Sequence, residues 1–348
     1  MPAGERTLTQ RELNRALLAR QLLLERDQAT IPRVLERVGG LQAQYAPSMY
    51  LGLWSRLAGF ERDDLTRALE RKAVVQGTLM RSTIHLVSAR DYWSFAVAIR
   101  HTRREWWLKS HKGGPSAREM ADAAKRLRRR LRDGPLPRAE VDELVGAGAV
   151  GIGGVGMWLD LVRVPPSGTW ERRRADLYGA AEDWLGPPDV DLDAAREHLV
   201  RRYLGGFGPA SRNDIADWAG LPLKEIATVL ARIRVRRFRD EGGTELVDLP
   251  RAPIPDADTP APVRFLPVWD ASLLVHARRT GILPETHRPK VFNTKTPQSV
   301  QTFIVDGTVA GTWSFEKGGI RVAPFGRLDP SIRRELDDEA DGLAALHA

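Results

Sequence analysis

Two glutamines, Gln42 and Gln44, flank one small residue in the stretch GGLQAQYAPSMY, Gly39–Tyr50. A spacing of two is wrong for one face of a helix but right for one side of an extended segment or turn, so both amides can point into one pocket. An amide is not a proton acceptor near neutral pH and cannot serve as a general base. It can accept a hydrogen bond from a water and donate another, holding that water in place. Spacing alone equally describes a polar loop packed on a helix end. A second constellation lies in VVQGTLMRSTIHLV, Val74–Val87, which is rich in β-branched residues and broken by Gly77. It reads as a hairpin. Arg81, Thr83 and His85 then alternate with Ser82, Ile84 and Leu86, and all three polar groups project from one strand face. His85 fits two roles there: a group beside the glutamines, or a buried histidine bonded to backbone.

Other chemistry is excluded or weak. The chain has no cysteine, which removes disulfides, zinc–thiolate sites, iron–sulfur clusters and a thiol nucleophile. Its seven histidines show no paired ligand spacing, so neither metal nor cofactor is expected. His276 and His287 flank charged loops and read as surface residues. GAGAVG (Gly146–Gly151) and GIGGVG (Gly151–Gly156) match a dinucleotide fingerprint, but the segment before them, PRAEVDELV, is helical in pattern where a strand is required. They read as flexible turns.

The net charge of +8 is unevenly placed. Between Arg100 and Arg132 twelve Lys/Arg face three Asp/Glu, and Arg232–Arg239 holds five arginines and no acid. Such stripes are the electrostatic footprint of a nucleic-acid surface, with a solvated helix face as the competing reading. Arg128, Arg129, Arg130, Arg236 and Arg237 are the candidates for phosphate contacts. The N-terminus is charged and lacks an apolar core, and the longest apolar run, Ala147–Leu159, is too short to span a bilayer. A cytoplasmic, nucleoid-associated protein with no membrane partner is expected.

The elements that must position these residues follow from caps and periodicity. At 348 residues the chain has room for two to four small domains. Thr9–Glu12 is a capping box opening a helix to about Leu24. Thr30 and Pro32 start the helix Ile31–Val38, which the glycine pair Gly39–Gly40 ends. GLWSRL and FERDDLTRALERK continue as helix. Ser88 caps a long helix Ala89–Lys109, and Ser116–Glu119 caps another whose stripe is Met120, Ala124, Leu127 and Leu131. Helix Pro137–Val145 follows. Ser211 caps Arg212–Ala219, Gly220–Pro222 turns, Leu223–Arg232 is helical, and Arg234–Arg239 pairs with Thr244–Leu249 as a wing. Three helix-turn-helix-like units result, over 1–110, 111–190 and 191–250. A proline-rich linker leads to a β-rich domain over 251–348, with strands RFLPVW, TFIVD and GTWSFE and a closing acidic helix Pro330–Leu346.

Four segments carry a family resemblance in order along nearly the whole chain: Leu41–Leu57 around LQAQ and GLWSRL, TLMRSTIHLV (Thr78–Val87), Phe207–Trp218 around FGPAS, and LPVWDASLL (Leu266–Leu274). They resemble the winged-helix DNA glycosylase family typified by the azinomycin-resistance enzyme of Streptomyces, AlkZ-like. The resemblance implies an α+β, mainly α fold: three tandem winged helix-turn-helix units plus a small C-terminal β-barrel-like domain, arranged as a C. It implies a monofunctional glycosylase, acting as a monomer without cofactor on double-stranded DNA with alkylated purines, bulky adducts or crosslinks. Gln42-Ala43-Gln44 matches the double-glutamine branch of its catalytic motif, and Asp270 joins Arg81, Thr83 and His85 as support. Val275–Pro284 departs from the family, with HARRTG where a glycine and an aspartate are usual. A non-catalytic winged-helix DNA-binding regulator is the alternative that repeats and basic stripes equally support.

Overall fold

The computed structural model describes residues 6–146, 151–293 and 298–348. The first segment opens with a short strand β1 (Thr7–Leu8) and helix α1 (Gln10–Arg20), held by the Thr9–Glu12 capping box. The helix stops before Leu24, because Leu22 takes a left-handed φ of 57°. Helix α2 (Ile31–Val38) ends on Gly39 in the left-handed conformation, and a two-residue strand β2 (Leu41–Gln42) follows. Helices α3 (Ala46–Trp54) and α4 (Arg62–Glu70) lead to the hairpin β3 (Val74–Thr78) and β4 (Ile84–Ser88). Ser88 then caps α5 (Ala89–Ser110) by accepting from the Asp91 N–H.

The hairpin differs from its sequence reading in one respect that matters. Gly77 lies inside β3, where a Cβ would come within 2.6 Å of the Tyr92 ring on α5. It serves close packing and does not form the turn. The turn falls at 79–83, where Arg81 and Ser82 have φ of 52° and 57°. Arg81 is therefore a turn residue, and its alternation with Thr83 and His85 along one strand does not hold.

The second unit contains α6 (Ala117–Leu131), β5 (Leu136–Pro137), α7 (Arg138–Val145) and the single helical turn α8 (Ile152–Val155). The expected apolar stripe of α6 is buried. GIGGVG forms that helical turn rather than a loop, and residues 147–150 of GAGAVG lie outside the described residues. Strands β6 (Leu161–Arg163) and β7 (Leu177–Ala180) precede α9 (Ala181–Leu185). Because Gln76 pairs with Arg163, the two hairpins fuse into one sheet of order β2-β4-β3-β6-β7-β5. Strand pairing thus crosses the boundary expected at residue 110.

In the third unit, α10 (Leu192–Phe207) packs against α2 and α5. The Ser211–Asp214 box opens α11 (Arg212–Ala219), left-handed Gly220 closes it, and α12 (Leu223–Arg232) leads into the hairpin β8 (Arg236–Asp240) and β9 (Glu245–Asp248). Strand β1 pairs in parallel with β8. The remaining chain carries β10 (Arg264–Leu266), a helical turn α13 (Ala271–Leu274), β11 (Phe292–Asn293), β12 (Gln298–Ser299), β13 (Thr302–Val305), β14 (Thr308–Glu316) and β15 (Gly319–Pro324), then the helix Pro330–His347. The β13–β14 turn is the expected Asp306–Gly307, both at positive φ. Among the described residues the expected barrel does not close. Strands β10-β13-β14-β15 form an open four-stranded sheet, because its apolar face is already covered: Phe265, Phe303 and Trp313 share one core with Met49, Leu53, Leu336 and Leu343.

Candidate active site

Gly39 and Gly40, at φ of 79° and 82°, swing the chain out of α2 into β2, where Gln42 pairs with His85. A Cβ on Gly40 would meet Val87 at 2.9 Å, so the approach needs glycine. The Gln42 side chain is half-buried, makes no hydrogen bond to protein among the described residues, and lines a cavity of about 440 Å³. Gln44 is exposed, and its Oε1 accepts from the Ile84 N–H at 3.2 Å. It continues the pairing that the Ala43 N–H makes with the Ile84 carbonyl at 2.8 Å. Gln42 is thus the amide presented to the cavity, and Gln44 ties its segment to β4.

Three distant parts of the chain form the rest of the wall. Arg81 and Thr83 come from the hairpin, Asp214, Asp217 and Trp218 from α11, and Trp269, Leu274, Val275, His276 and Phe292 from the last segment. Arg81 Nη1 donates to the Trp218 carbonyl at 3.1 Å, joining the first unit to the third. Asp214 is occupied by its Ser211 cap and by an ion pair with Arg279, whereas Asp217 is exposed and has no ion pair among the described residues. Sequence reasoning missed Trp218, Trp269 and Asp214 as site residues, although all three lie in the quoted FGPAS and LPVWDASLL segments.

His85 does not line this cavity. Its Nδ1 lies 3.1 Å from the Thr83 carbonyl, and burial, reinforced by the nearby Arg81 charge, pushes its pKa down to about 3. The imidazole is neutral and supports the strand from below. His276 departs from its surface reading: it is half-buried at the cavity wall, its Nε2 lies 2.8 Å from the Phe207 carbonyl, and desolvation lowers its pKa. His287 is likewise engaged, with Nδ1 3.0 Å from the Val309 carbonyl. Asp270 is 4% exposed and grips Arg56 at 2.9 Å while capping Ser272 at 3.0 Å. No face of it is free for substrate. It anchors the turn on which its neighbour Trp269, at a left-handed φ of 56°, enters the cavity.

A family model described as DNA glycosylase AlkZ-like matches residues 35–346. The chain belongs to that family. It is a DNA glycosylase, which sets aside the non-catalytic regulator. Among curated proteins it resembles an interstrand DNA cross-link repair glycosylase of Streptomyces sahachiroi, at 22% identity over 94% of this chain and 93% of the relative. Among solved structures it resembles the Streptomyces sahachiroi DNA glycosylase AlkZ, with a TM-score of 0.80 at 20% identity, covering 98% of this chain and 97% of that one.

For an AlkZ-like enzyme the basic stripes matter next, and the structure divides them. Arg100 and Arg103 converge on Asp160, and Arg104 donates to the Met157 and Trp158 carbonyls. Arg128 is held by Glu182 and Asp183, and Arg130 lies 3.6 Å from Asp133 and 3.8 Å from Glu140. Arg126, Arg129 and Arg132 have no ion pair among the described residues and line a concavity of about 860 Å³ along α6. In the third unit Arg236 is turned inward onto buried Asp248 at 2.7 Å, and Arg237 pairs with Glu245 at 2.6 Å. Arg126, Arg129 and Arg132 thus form one group of unpaired arginines along α6 and its C-terminal end.

Proposed function

We propose that this enzyme hydrolyses the N-glycosidic bond of cationic alkylpurines such as N7-alkylguanine in duplex DNA, with Gln42 and Gln44 positioning the water. The observation that carries this reading is the Gln42 amide, presented to a cavity of about 440 Å³ with no hydrogen-bond partner among the described residues. Its oxygen can accept from a water while the lesion occupies the space beside it. Water oxygen bonds to C1′ as the C1′–N9 bond breaks. N9 keeps the electron pair, which cancels the charge of the alkylated ring, so the base departs neutral and needs no proton. The water proton passes to solvent. A cationic leaving group removes the need for a general acid, and amide dipoles stabilise the positive charge that develops on the sugar. Uracil and undamaged bases lack that activation and are poor substrates.

Gln44 acts with Gln42 by fixing the β2 segment on Ile84 through its Oε1. We read the three helical units as winged helices, because each is a set of helices followed by a β-hairpin. The free arginines on α6 then track the phosphates, and the enzyme works as a monomer. Bulky adducts and crosslinks fall within the same reading, since the curated relative is named for crosslink repair and the cavity opens to the surface. The deciding experiment is incubation with duplex DNA carrying N7-methylguanine. Free base and abasic sites are expected, and intact DNA at high enzyme excess would reject the reading.

A further inference from the structure

The hairpin turn 79–83 stands between two cavities. On one side is the cavity that holds Gln42. On the other is a second one of about 330 Å³, walled by Leu79, Ile99, Thr102, Trp106 and the Ala219–Gly220 end of α11. Arg81 lines both. Arg81 is exposed as a residue, yet its guanidinium sits deep enough that desolvation lowers its pKa; it has no ion pair among the described residues and is steadied by the single bond to the Trp218 carbonyl. The backbone beneath it, with two successive non-glycine residues at positive φ, is a conformation that L side chains rarely adopt. Trp106, on the basic helix α5, is 53% exposed beside the second cavity.

An accessible cation without a carboxylate calls for an anion. An exposed indole beside apolar walls calls for a flat, weakly polar face. Cavity, cation, cavity is also the layout of two successive nucleotides: base, phosphodiester, base. We propose that the second cavity binds the nucleobase adjacent to the lesion, unstacked from the duplex onto Trp106, while Arg81 holds the phosphate joining the two nucleotides. The inference rests on the glycosylase reading above and deepens it from a one-base to a two-base site.

The test compares wild type, Trp106→Ala and Trp106→Phe on three duplexes. One carries N7-methylguanine with both neighbours intact; the others lack the base on the 5′ or the 3′ side of the lesion. Trp106→Ala should slow single-turnover release on the intact duplex by on the order of tenfold, and Trp106→Phe by much less. On one baseless duplex the wild type should slow by a similar factor, with no further loss from Trp106→Ala. Arg81→Gln should slow release on a normal backbone but not where that one phosphate is replaced by an uncharged methylphosphonate. Equal effects of Trp106→Ala on all three duplexes, or no effect on any, would overturn the proposal. If wild type releases no base at all, the glycosylase reading fails instead. The same coupling, measured as duplex affinity, then still decides whether the second cavity takes a base.

Discussion

Replacing Gln42 by alanine separates positioning from folding unusually cleanly. The side chain is half-buried and has no hydrogen-bond partner in the protein among the described residues, so truncation orphans no buried group and stability should move by less than about 1 kcal/mol. A positioned catalytic group supplies roughly a hundredfold at the low end, equivalent to about 2.7 kcal/mol of barrier. Single-turnover release of 7-methylguanine at saturating enzyme should therefore fall about a hundredfold, with the unfolding midpoint and duplex affinity unchanged. Gln44→Ala removes the acceptor of the Ile84 N–H at an exposed edge, worth about 0.5–1.5 kcal/mol, and lets the β2 segment drift. Because the two amides act through one segment, either substitution should cost much of what both cost together. Gln44→Glu keeps an acceptor for the Ile84 N–H at the same reach, so it should retain substantial activity. Gln44→Leu should not. A double alanine variant that releases base at the wild-type rate would place the chemistry elsewhere in the molecule.

Other consequences follow from the placement of charge. Replacing Arg126, Arg129 and Arg132 together by glutamine should weaken duplex binding and flatten the plot of log affinity against log salt by about 0.9 per lost phosphate contact, as titrated by fluorescence anisotropy. The same change at Arg128 and Arg130, whose charges are already paired, should alter the slope much less, and equal slopes would refute the division. His85, neutral with a pKa of about 3, binds its proton more readily in the unfolded chain. Its contribution is thus complete above the unfolded value of 6.5 and is lost as pH falls from there toward 3, at about 1.4 kcal/mol per pH unit for one proton. His276 and His347, shifted in the same direction, add to the loss, and urea unfolding of His85→Gln between pH 7 and pH 4 should show a shallower dependence than wild type. Asp270→Asn strands Arg56 in the core, a loss of about 3–5 kcal/mol; a midpoint that hardly moves would show that Arg56 finds another partner.

Local signals were legible wherever local chemistry decides the structure. The capping boxes at Thr9, Ser116 and Ser211 each close as their side chains require, and the Asp306–Gly307 turn forms where it was expected. The extended placement of Gln42 was legible because a glycine pair ends the preceding helix, and Gly39 and Gly40 both take positive φ there. Misreadings arose where a distant contact overrides a local pattern. Gly77 looks like a turn because its reason for being glycine, the Tyr92 ring, lies on the following helix. Arg236 looks like a phosphate ligand because Asp248 and the buried end of α1, with Arg20 on the same carboxylate, are invisible in RIRVRRFR. His276 looks exposed because its arginine neighbours suggest a surface loop, while the ring turns in toward Phe207 and Arg279 is itself held by Asp214 and Asp240. The barrel failed for the same reason. A sheet whose apolar face is covered by the C-terminal helix and a helix of the first unit has nothing to gain from closing.

That coverage also bears on how the site keeps its shape. The cavity draws its walls from residues 42–83, 214–218 and 269–292, and no single unit could hold them in register. The ties that hold the units together are polar and two are buried ion pairs: Arg56 of the first unit on Asp270 of the last and Arg20 of α1 on Asp248 of the third, joined by Asn14 and Arg15 on the half-exposed Asp306–Gly307 turn. Buried ion pairs contribute little net stability over apolar packing, but they penalise any geometry that separates the partners. A rigid frame suits a catalyst whose working group is an uncharged amide. Such a group has no long-range field to pull a misplaced water or sugar into line, so its whole contribution depends on distance and orientation. On the mechanism proposed above, the reactivity that a stronger base would supply resides in the substrate, and the proposed selectivity for cationic purines is what a weak, uncharged amide would impose.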